Sequence, residues 1–174
     1  MVGLIHVYFG EGKGKTTAAT GLAVRMAGTG GRVLVLQFLK SRPSGEVTIL
    51  QGLPNVDVVR GKETKKFSWD MSDEEKAATR AAHAAMLRDV LSRVEQDGCD
   101  LLVLDEALGA IHTGLLEESI ILDLMRTKPP ELELVLTGRD PSEKLLALAD
   151  YATEMRLVKH PYHNGIAARK GVEF

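Results

Sequence analysis

Eight residues near the amino end of the chain have the types and spacing of a phosphate-binding loop. They are Gly10-Glu11-Gly12-Lys13-Gly14-Lys15-Thr16-Thr17, between the apolar run 4–9 and a helical pattern over 18–27. Glycines allow backbone N–H groups to converge on anionic oxygens, and the first turn of a helix adds further donors. We therefore expect a phosphate cradle in which Lys15 supplies positive charge and the Thr16 hydroxyl is a ligand of Mg²⁺.

The loop differs from the common phosphate-binding sequence, which has Gly, four residues and then Gly-Lys-Ser/Thr. Counting back from Gly14, the first Gly position falls on Phe9, and Gly10 lies one residue late. The variant with a second lysine before two glycines does not match either, because Gly10 and Glu11 occupy those positions. The order of strand, glycine loop and helix still favours phosphate binding over a flexible turn without a ligand.

A second pattern, over 101–106, consists of four apolar residues followed by two carboxylates. A strand of this kind can direct its first carboxylate to a metal, so we expect Asp105 to join Thr16 on Mg²⁺, directly or through water. The alternative is a solvent-facing pair at the end of a strand. Glu106 has three candidate roles, since it could polarise an attacking water, bind the metal or bind a ribose hydroxyl.

Two further groups carry weaker signals. Arg139 follows an apolar run and could hold a phosphate with its planar guanidinium, although a surface arginine fits nearly as well. His160 and His163 have a metal-like spacing, but Pro161 between them indicates a turn rather than a helix.

Apolar runs alternate with helical patterns along the chain, which predicts the elements that position these groups. The predicted strands are 4–9, 33–38, 56–59, 101–104, 133–136 and 152–157. The predicted helices are 15–28, 72–97 with a Ser72–Glu75 capping box, 116–126, and one after Asp140 with Pro141 first and Glu143 closing its cap. Short strands rich in Val, Leu and Ile between helices are typical of a parallel sheet covered on both faces. We expect one α/β domain over 1–174, a P-loop NTPase-like, doubly wound, mainly parallel sheet of about six strands.

Two stretches, 39–55 and 60–71, interrupt the alternation, with a short helical turn over 46–52. Loops that follow strands lie at the carboxyl edge of an open sheet, where ligands bind, so both are candidates for a second-substrate site. Phe67 and Trp69 alternate in the second stretch. They could be buried in a short strand or form a platform for a ligand.

The bulk composition excludes several classes of protein. A net charge of −2 and a pI of about 6.2 argue against a nucleic-acid surface. No apolar run reaches the roughly 18 residues needed to cross a membrane, and no signal peptide is visible. Cys99 is the single cysteine and is expected to be a buried, unreactive thiol. We expect a cytoplasmic protein that binds neither nucleic acid nor membrane.

Taken together, these motifs resemble those of the P-loop corrinoid adenosyltransferases, the ATP:cob(I)yrinic acid a,c-diamide or cob(I)alamin adenosyltransferase family. The resemblance runs from about residue 3 to the C-terminus, and the shortened loop is itself part of the family pattern. The matching segments are 10–19, 36–40, 45–46, 54–56, 67–69, 104–106, 135–139, 149–150, 153–155, 158–162, 165–166 and 170–174. The family often has Gly where Ser41 and Lys66 stand, and Asn where Asp140 stands.

The resemblance implies transfer of the 5′-deoxyadenosyl group of ATP to the Co(I) centre of a corrinoid, with release of triphosphate. It implies catalytic roles for Lys15, Glu106 and Arg139. The implied ATP-binding residues are Gly10, Glu11, Gly12, Lys13, Gly14, Lys15, Thr16 and Thr17, and the implied ligands of Mg²⁺ (or Mn²⁺) are Thr16, Asp105 and Glu106. No water needs activation in this reaction, so metal or ribose binding is the better role for Glu106.

On the corrinoid side, Phe67 and Trp69 match the aromatic residues with which the family displaces the lower axial ligand of cobalt. The resemblance also implies a partner reductase, such as a flavodoxin-like protein. The expected assembly is a homodimer, although the sequence does not fix the oligomeric state.

The residues themselves leave two other functions open. One is a P-loop ATPase or small-molecule kinase, in which Glu106 or another carboxylate activates the nucleophile. The other is a nucleotide-gated binding module that changes shape without turnover. The segment 67–69 and the strand end 137–139 favour the transferase over both.

Overall fold

A computed structural model describes residues 2–40, 43–61 and 70–173. Within these ranges the strands are β1 (Ile5–Phe9), β2 (Val33–Gln37), β3 (Val56–Arg60), β4 (Leu101–Asp105), β5 (Glu133–Thr137) and β6 (Tyr151–Glu154). The helices are α1 (Lys15–Gly28), α2 (Gly45–Gln51), α3 (Asp73–Asp97), α4 (Ala107–His112), α5 (Glu118–Thr127) and α6 (Glu143–Leu148). A 3₁₀ turn, Pro161–Asn164, follows β6. None of the helices in the described ranges is long and apolar enough to cross a membrane.

The six strands form one parallel sheet in the order β3-β2-β4-β5-β1-β6. Helices α1 and α2 cover one face, and α3, α4, α5 and α6 cover the other. Along β2, Val33 and Val35 contribute to the first layer, and Leu34 and Leu36 to the second. Burial on both faces explains why the strands are unbroken apolar runs. The predicted doubly wound sheet is therefore confirmed.

The strand order brings three polar residues into one row. Gln37, Asp105 and Thr137 are the last residues of β2, β4 and β5. Gln37 is paired with Asp105, and the pairing of Leu104 with Leu136 places Thr137 on the other side of Asp105. This row lies at the carboxyl edge of the sheet, where ligands bind in folds of this kind.

The elements differ from the sequence expectations in three places. The short helix α4 follows Glu106 directly and was not predicted, because six residues are too few to show a helical period. Helix α6 begins at Glu143 and not at Pro141, since Ser142 is the N-cap and accepts from the Leu145 N–H at 3.3 Å. The predicted strand 152–157 is shorter in the structure, and all four residues of β6 are exposed.

Two local predictions agree with the structure. Ser72 and Glu75 form a capping box at the start of α3, in which the Ser72 hydroxyl accepts from the Glu75 N–H and the Glu75 carboxylate accepts from the Ser72 N–H. Cys99 is half-buried, and burial raises the pKa of its thiol to about 11. The thiol stays protonated near neutral pH and is therefore unreactive.

Helix α3 carries a buried histidine, His83, beside the end of β2. Its Nε2 and Nδ1 atoms lie 3.0 Å from the carbonyl oxygens of Phe38 and Leu115. Burial lowers the pKa of His83 and outweighs the two carbonyls, which raise it. The ring therefore binds a proton less readily in the folded protein than in the unfolded chain.

We predict that this histidine makes the fold less stable as the pH falls below about 6.5, the ordinary pKa of histidine. The contribution of His83 to the free energy of unfolding is fully present above that pH. It is lost as the pH falls toward the lowered pKa, because the unfolded state binds the extra proton. His83→Gln should flatten the pH dependence of the free energy of unfolding, measured with urea between about pH 5 and 7. His163→Gln, at an exposed position, is the control, and an unchanged slope for His83→Gln would contradict the assignment.

Candidate active site

The glycine loop between β1 and α1 is shaped by close contact with the chain that follows β6. Gly10 and Gly14 have φ angles of 103° and 119°, a region that favours glycine. A Cβ on Gly10 or Gly12 would lie 2.8 or 2.5 Å from the carbonyl oxygen of Met155. The Gly12 N–H donates to that oxygen at 2.6 Å. One of the loop amides is therefore directed at Met155, which leaves the amides closer to α1 as the candidate anion donors.

Lys15 is the first residue of α1 and lies back over the loop. Its Nζ atom donates to the carbonyl oxygens of Gly10 at 2.6 Å and Gly12 at 2.7 Å. Burial lowers the pKa of Lys15, and the carboxylate of Glu106 opposes this shift. The first amides of a helix have no partner within it, so the ammonium and the start of α1 together are a candidate anion-binding site.

Asp105 is the centre of a hydrogen-bond network at the end of β4, and it is 1% exposed. Its Oδ1 atom accepts from the hydroxyls of Thr16 at 2.9 Å and Thr137 at 2.7 Å. Its Oδ2 atom accepts from Lys40 Nζ at 2.8 Å and Gln37 Nε2 at 3.1 Å. The structure thus joins Asp105 to Thr16 by a direct hydrogen bond.

Three members of this network received no role from the sequence: Gln37, Lys40 and Thr137. A signal for two of them was present, because Gln37 and Thr137 are polar residues that end otherwise apolar strands. Lys40 follows β2 in an irregular segment, and only the fold shows that it reaches Asp105.

Glu106 follows Asp105 with a φ of 60°, which is uncommon for a residue that carries a Cβ. Its N–H donates to the Thr137 hydroxyl at 2.9 Å, which fixes the turn into α4. Its Oε1 atom lies 4.0 Å from Lys40 Nζ. Burial raises the pKa of Glu106, and Lys40 opposes this shift. Asp105 at the end of β4 and Glu106 just after it therefore face the same cation.

Arg139 lies beyond the end of β5 and pairs with Glu11 of the glycine loop at 3.0 Å. Both side chains are more than half exposed, so this ion pair contributes little to stability but links two loops at the edge of the site. Lys13 and Thr17 are also exposed, and Lys13 Nζ donates to the carbonyl oxygen of Val172 at 3.1 Å. The two lysines of the loop thus point to different places, Lys15 over the loop and Lys13 to the carboxyl tail.

An open cleft of about 480 Å³ lies beside the glycine loop. It is lined by Phe9, Gly10, Glu11, Asp140, Pro141, Leu146, Glu154, Arg156 and Leu157. Apolar side chains with a few charged groups are typical of small-molecule sites. The cleft gives space for a bulky group next to the loop.

Two further predictions concern the aromatic pair and the histidine pair. Phe67 and Trp69, the predicted corrinoid-binding residues, lie outside the described residues. His160 and His163 lie in the 3₁₀ turn after β6, where His160 Nδ1 accepts from the Tyr162 N–H at 3.2 Å. In the described part of the chain, no group of three or more His, Cys, Asp or Glu residues could hold a metal by itself. The turn interpretation of this segment therefore agrees with the structure.

The oxygens around Lys40 Nζ show whether Mg²⁺ fits the site. The ammonium lies 2.5 Å from Thr16 Oγ1 and 2.8 Å from Asp105 Oδ2, so a hydroxyl and a carboxylate already enclose one cation. Mg²⁺ is usually bound through one or two carboxylates, with water and substrate phosphates completing its shell. The donor set fits this ion, with Thr16 and Asp105 as candidate ligands and Glu106 beside them.

The fold and the glycine loop define a protein of the P-loop NTPase-like α/β class. The structure resembles, over 97% of this chain, the ATPase 2 and 3 region of EssC from Geobacillus thermodenitrificans, with a TM-score of 0.53 and 12% identity, covering 35% of that chain. It also resembles, over 91% of this chain, the cytoplasmic domain of the type VII secretion ATPase EccC from Thermomonospora curvata, with a TM-score of 0.52 and 20% identity, covering 20% of that chain. At these identities the likeness shows the fold alone.

The sequence comparisons define the family. The family model for the ATP:corrinoid adenosyltransferases BtuR/CobO/CobP matches residues 1–174. A corrinoid adenosyltransferase of Pseudomonas aeruginosa is 35% identical over 173 residues, which are 99% of this chain and 84% of the relative. The corrinoid adenosyltransferase CobA of Salmonella typhimurium is 33% identical over 175 residues, 99% of this chain and 86% of the relative. The chain belongs to the ATP:corrinoid adenosyltransferase family and is an enzyme of that family, which confirms the resemblance seen in its motifs.

Proposed function

We propose that this enzyme, as a single domain over 1–174, transfers the 5′-deoxyadenosyl group of ATP to the Co(I) centre of a corrinoid and releases triphosphate. Such a reaction belongs to the biosynthesis or salvage of adenosylcobalamin. The observation that carries the proposal is the convergence of Lys15, Thr16 and Asp105 at the start of α1 in a chain that the family model matches throughout. This arrangement suits a reaction whose leaving group is a polyanion.

The proposed reaction balances as a nucleophilic displacement. The electron pair of Co(I), a substrate atom, forms the bond to C5′ of ATP, and cobalt becomes Co(III). The bond between C5′ and its ester oxygen breaks, and that electron pair leaves with the triphosphate. Negative charge develops at the leaving oxygen, so preorganised positive groups supply the catalysis and no general base is needed.

Named residues account for the charge in this proposal. Lys15 would exchange the carbonyl oxygens of the loop for phosphate oxygens, alongside the first amides of α1. Thr16, Asp105 and Glu106 would hold Mg²⁺ (or Mn²⁺), which supplies further positive charge against the triphosphate. Arg139 would contact a phosphate oxygen from the edge of the site, at the expense of its exposed pair with Glu11.

The corrinoid contacts are proposed from the family resemblance alone. Phe67 and Trp69 match the positions that press on the lower face of the corrinoid and displace its axial ligand. Aromatic rings suit this task because they are large and offer cobalt no donor atom. Displacement of that ligand makes the reduction of Co(II) to Co(I) easier.

We predict that Trp69→Ala lowers the turnover of cob(II)alamin, supplied with a reductant, by about tenfold or more and leaves ATP binding unchanged. Trp69→Phe keeps an aromatic ring and should retain most of the activity. Turnover is measured from the absorbance of the product, and ATP affinity by calorimetry. An equal loss of ATP affinity in Trp69→Ala would place this residue at the nucleotide instead.

The proposal includes a cytoplasmic homodimer that receives electrons from a flavodoxin-like reductase. An exposed edge strand, β6, and exposed apolar side chains on and after it support a protein-binding surface there. These side chains are Tyr151, Leu157, Val158, Tyr162, Ile166 and Val172. Sedimentation at the mass of one chain would contradict the dimer.

The visible spectrum of the corrinoid tests the proposed activity. The protein is mixed with ATP, Mg²⁺ and chemically reduced cobalamin, and the spectrum is followed as the cobalt–carbon bond forms. We expect the adenosylated product only when protein and ATP are both present. A P-loop ATPase or kinase would instead form ADP with an unchanged corrinoid, and a nucleotide-gated binding module would form neither product.

A further inference from the structure

Lys40 has an unusual place for a lysine, in the middle of the oxygens that would hold Mg²⁺. Its ammonium donates to Thr16 Oγ1 at 2.5 Å and to Asp105 Oδ2 at 2.8 Å, and it lies 4.0 Å from Glu106 Oε1. Nothing in the proposed reaction uses this lysine. Its ammonium nevertheless lies within 4.0 Å of an oxygen of each of the three proposed metal ligands.

The position of Lys40 is fixed by the segment that carries it. Just before it, the Phe38 N–H donates to the backbone carbonyl oxygen of Asp105 at 3.1 Å. The carbonyl oxygen of Phe38 lies 3.0 Å from His83 Nε2, and the two rings contact edge to face. The end of β2 is therefore held against both β4 and α3, which places the Lys40 stem beside the carboxylates.

Burial makes the charge of Lys40 important for Asp105. The Asp105 side chain is 2% exposed, whereas the Lys40 side chain is 32% exposed. A buried carboxylate is costly without a cation or several donors, and the ammonium is one of the four donors that Asp105 accepts from. Because the Lys40 stem is flexible and one-third exposed, its ammonium has room to move toward solvent or toward a bound anion.

The same oxygens cannot serve two cations at once. Mg²⁺ binds oxygen at about 2.0–2.1 Å, and an ammonium at hydrogen-bond distance from the same two oxygens occupies that space. The ammonium must leave before a metal can bind. Its departure alone would leave the buried Asp105 carboxylate without a cation. A polyphosphate would change this balance, because its oxygens offer the ammonium a new partner.

We infer that Lys40 is an internal counter-ion that competes with the divalent metal for Thr16 and Asp105. When the metal and the nucleotide bind, the Lys40 ammonium moves to the polyphosphate. Metal binding then depends on the nucleotide, and nucleotide binding depends on the metal to the same extent, as linkage requires. This inference rests on the proposed ATP site but not on the corrinoid chemistry. It assigns Lys40 to the control of metal binding.

The binding of Mn²⁺ to the full-length protein without nucleotide tests this inference, with free Mn²⁺ measured by electron paramagnetic resonance. Lys40→Met keeps an apolar stem and removes the charge, so it should bind Mn²⁺ about tenfold tighter than the unaltered protein. It should also bind metal-free ATP about tenfold more weakly in calorimetry, because the ammonium no longer reaches a phosphate oxygen. Lys144→Met, on the exposed face of α6, is the matched control and should change neither affinity.

A second variant separates charge from shape. Lys40→Arg retains the positive charge and should bind Mn²⁺ as weakly as the unaltered protein, while circular dichroism confirms that each variant is folded. The inference is overturned if Lys40→Met binds Mn²⁺ no tighter, or if Lys40→Arg binds it as tightly as Lys40→Met. These measurements contain no corrinoid, so a failure of adenosyl transfer would reject the proposed function without affecting this result.

Discussion

Lys15→Ala is expected to lower the rate of adenosyl transfer by about 100- to 1000-fold, the cost of removing one preorganised charge from a developing anion. The Lys15 ammonium lies over the glycine loop at 2.6 and 2.7 Å from two carbonyl oxygens, next to the free amides of α1. In the proposed complex it exchanges these two carbonyl oxygens for oxygens of the leaving group. The measurement is kcat at saturating ATP with chemically reduced cobalamin.

Lys13→Ala provides a control within the same loop. Lys13 is exposed, and its ammonium donates to the carbonyl oxygen of Val172 on the carboxyl tail. The resemblance counts Lys13 among the ATP-binding residues, but its ammonium lies on the tail. Removal of this side chain should therefore cost far less than removal of Lys15, although both variants lose one positive charge. Near-normal turnover in Lys15→Ala, or equal losses in the two variants, would remove Lys15 from the leaving-group site.

Asp105→Asn is expected to have two large effects, one on stability and one on metal binding. The carboxylate is buried and accepts four hydrogen bonds, one of them from a cation. The asparagine NH₂ group cannot accept, so it would face groups that are themselves donors. We expect a loss of about 2–3 kcal/mol in the free energy of unfolding, measured with urea. We also expect Mn²⁺ to bind about 100-fold more weakly in the presence of ATP, because in the proposed site Asp105 holds the metal directly or through water.

Asp123→Asn is the matched control for this substitution. Asp123 lies on α5 and forms an exposed ion pair with Arg126 at 3.2 Å. Exposed pairs of this kind contribute little, so neither the unfolding free energy nor Mn²⁺ binding should change appreciably. The role of Asp105 would be refuted by a variant that loses stability but binds Mn²⁺ with unchanged affinity, because that result describes a structural carboxylate.

The sequence predicts the elements of this fold well where the periodicity is long. Helix α1 was predicted over 15–28 and α3 over 72–97, and the capping box at Ser72 was correct. The predictions fail where elements are short, as in α4, which has six residues, and at Pro141, where a neighbouring serine caps the helix instead. A long helix shows its period in the sequence, whereas a helix of six residues is too short to show one.

In the candidate site, too, some contacts follow from local sequence motifs and others only from the fold. The link between Thr16 and Asp105 follows from two motifs, each readable on its own. The contacts of Gln37, Thr137 and Lys40 with Asp105 follow from the neighbours of β4, which are β2 and β5, and strand order is not contained in a local pattern. The contact between Gly12 and Met155 joins the two ends of the chain and was likewise not predictable.

The identity of the phosphate product tests the central claim most directly. The protein is incubated with ATP, Mg²⁺ and reduced cobalamin, and the products are identified by phosphorus nuclear magnetic resonance. If the loop of Lys15 holds the departing anion while cobalt takes C5′, intact triphosphate should appear in amounts equal to the adenosylated corrinoid. Formation of ADP with phosphate, and no triphosphate, would contradict the account. The bond broken would then be a phosphoanhydride P–O bond and not the bond between C5′ and its ester oxygen.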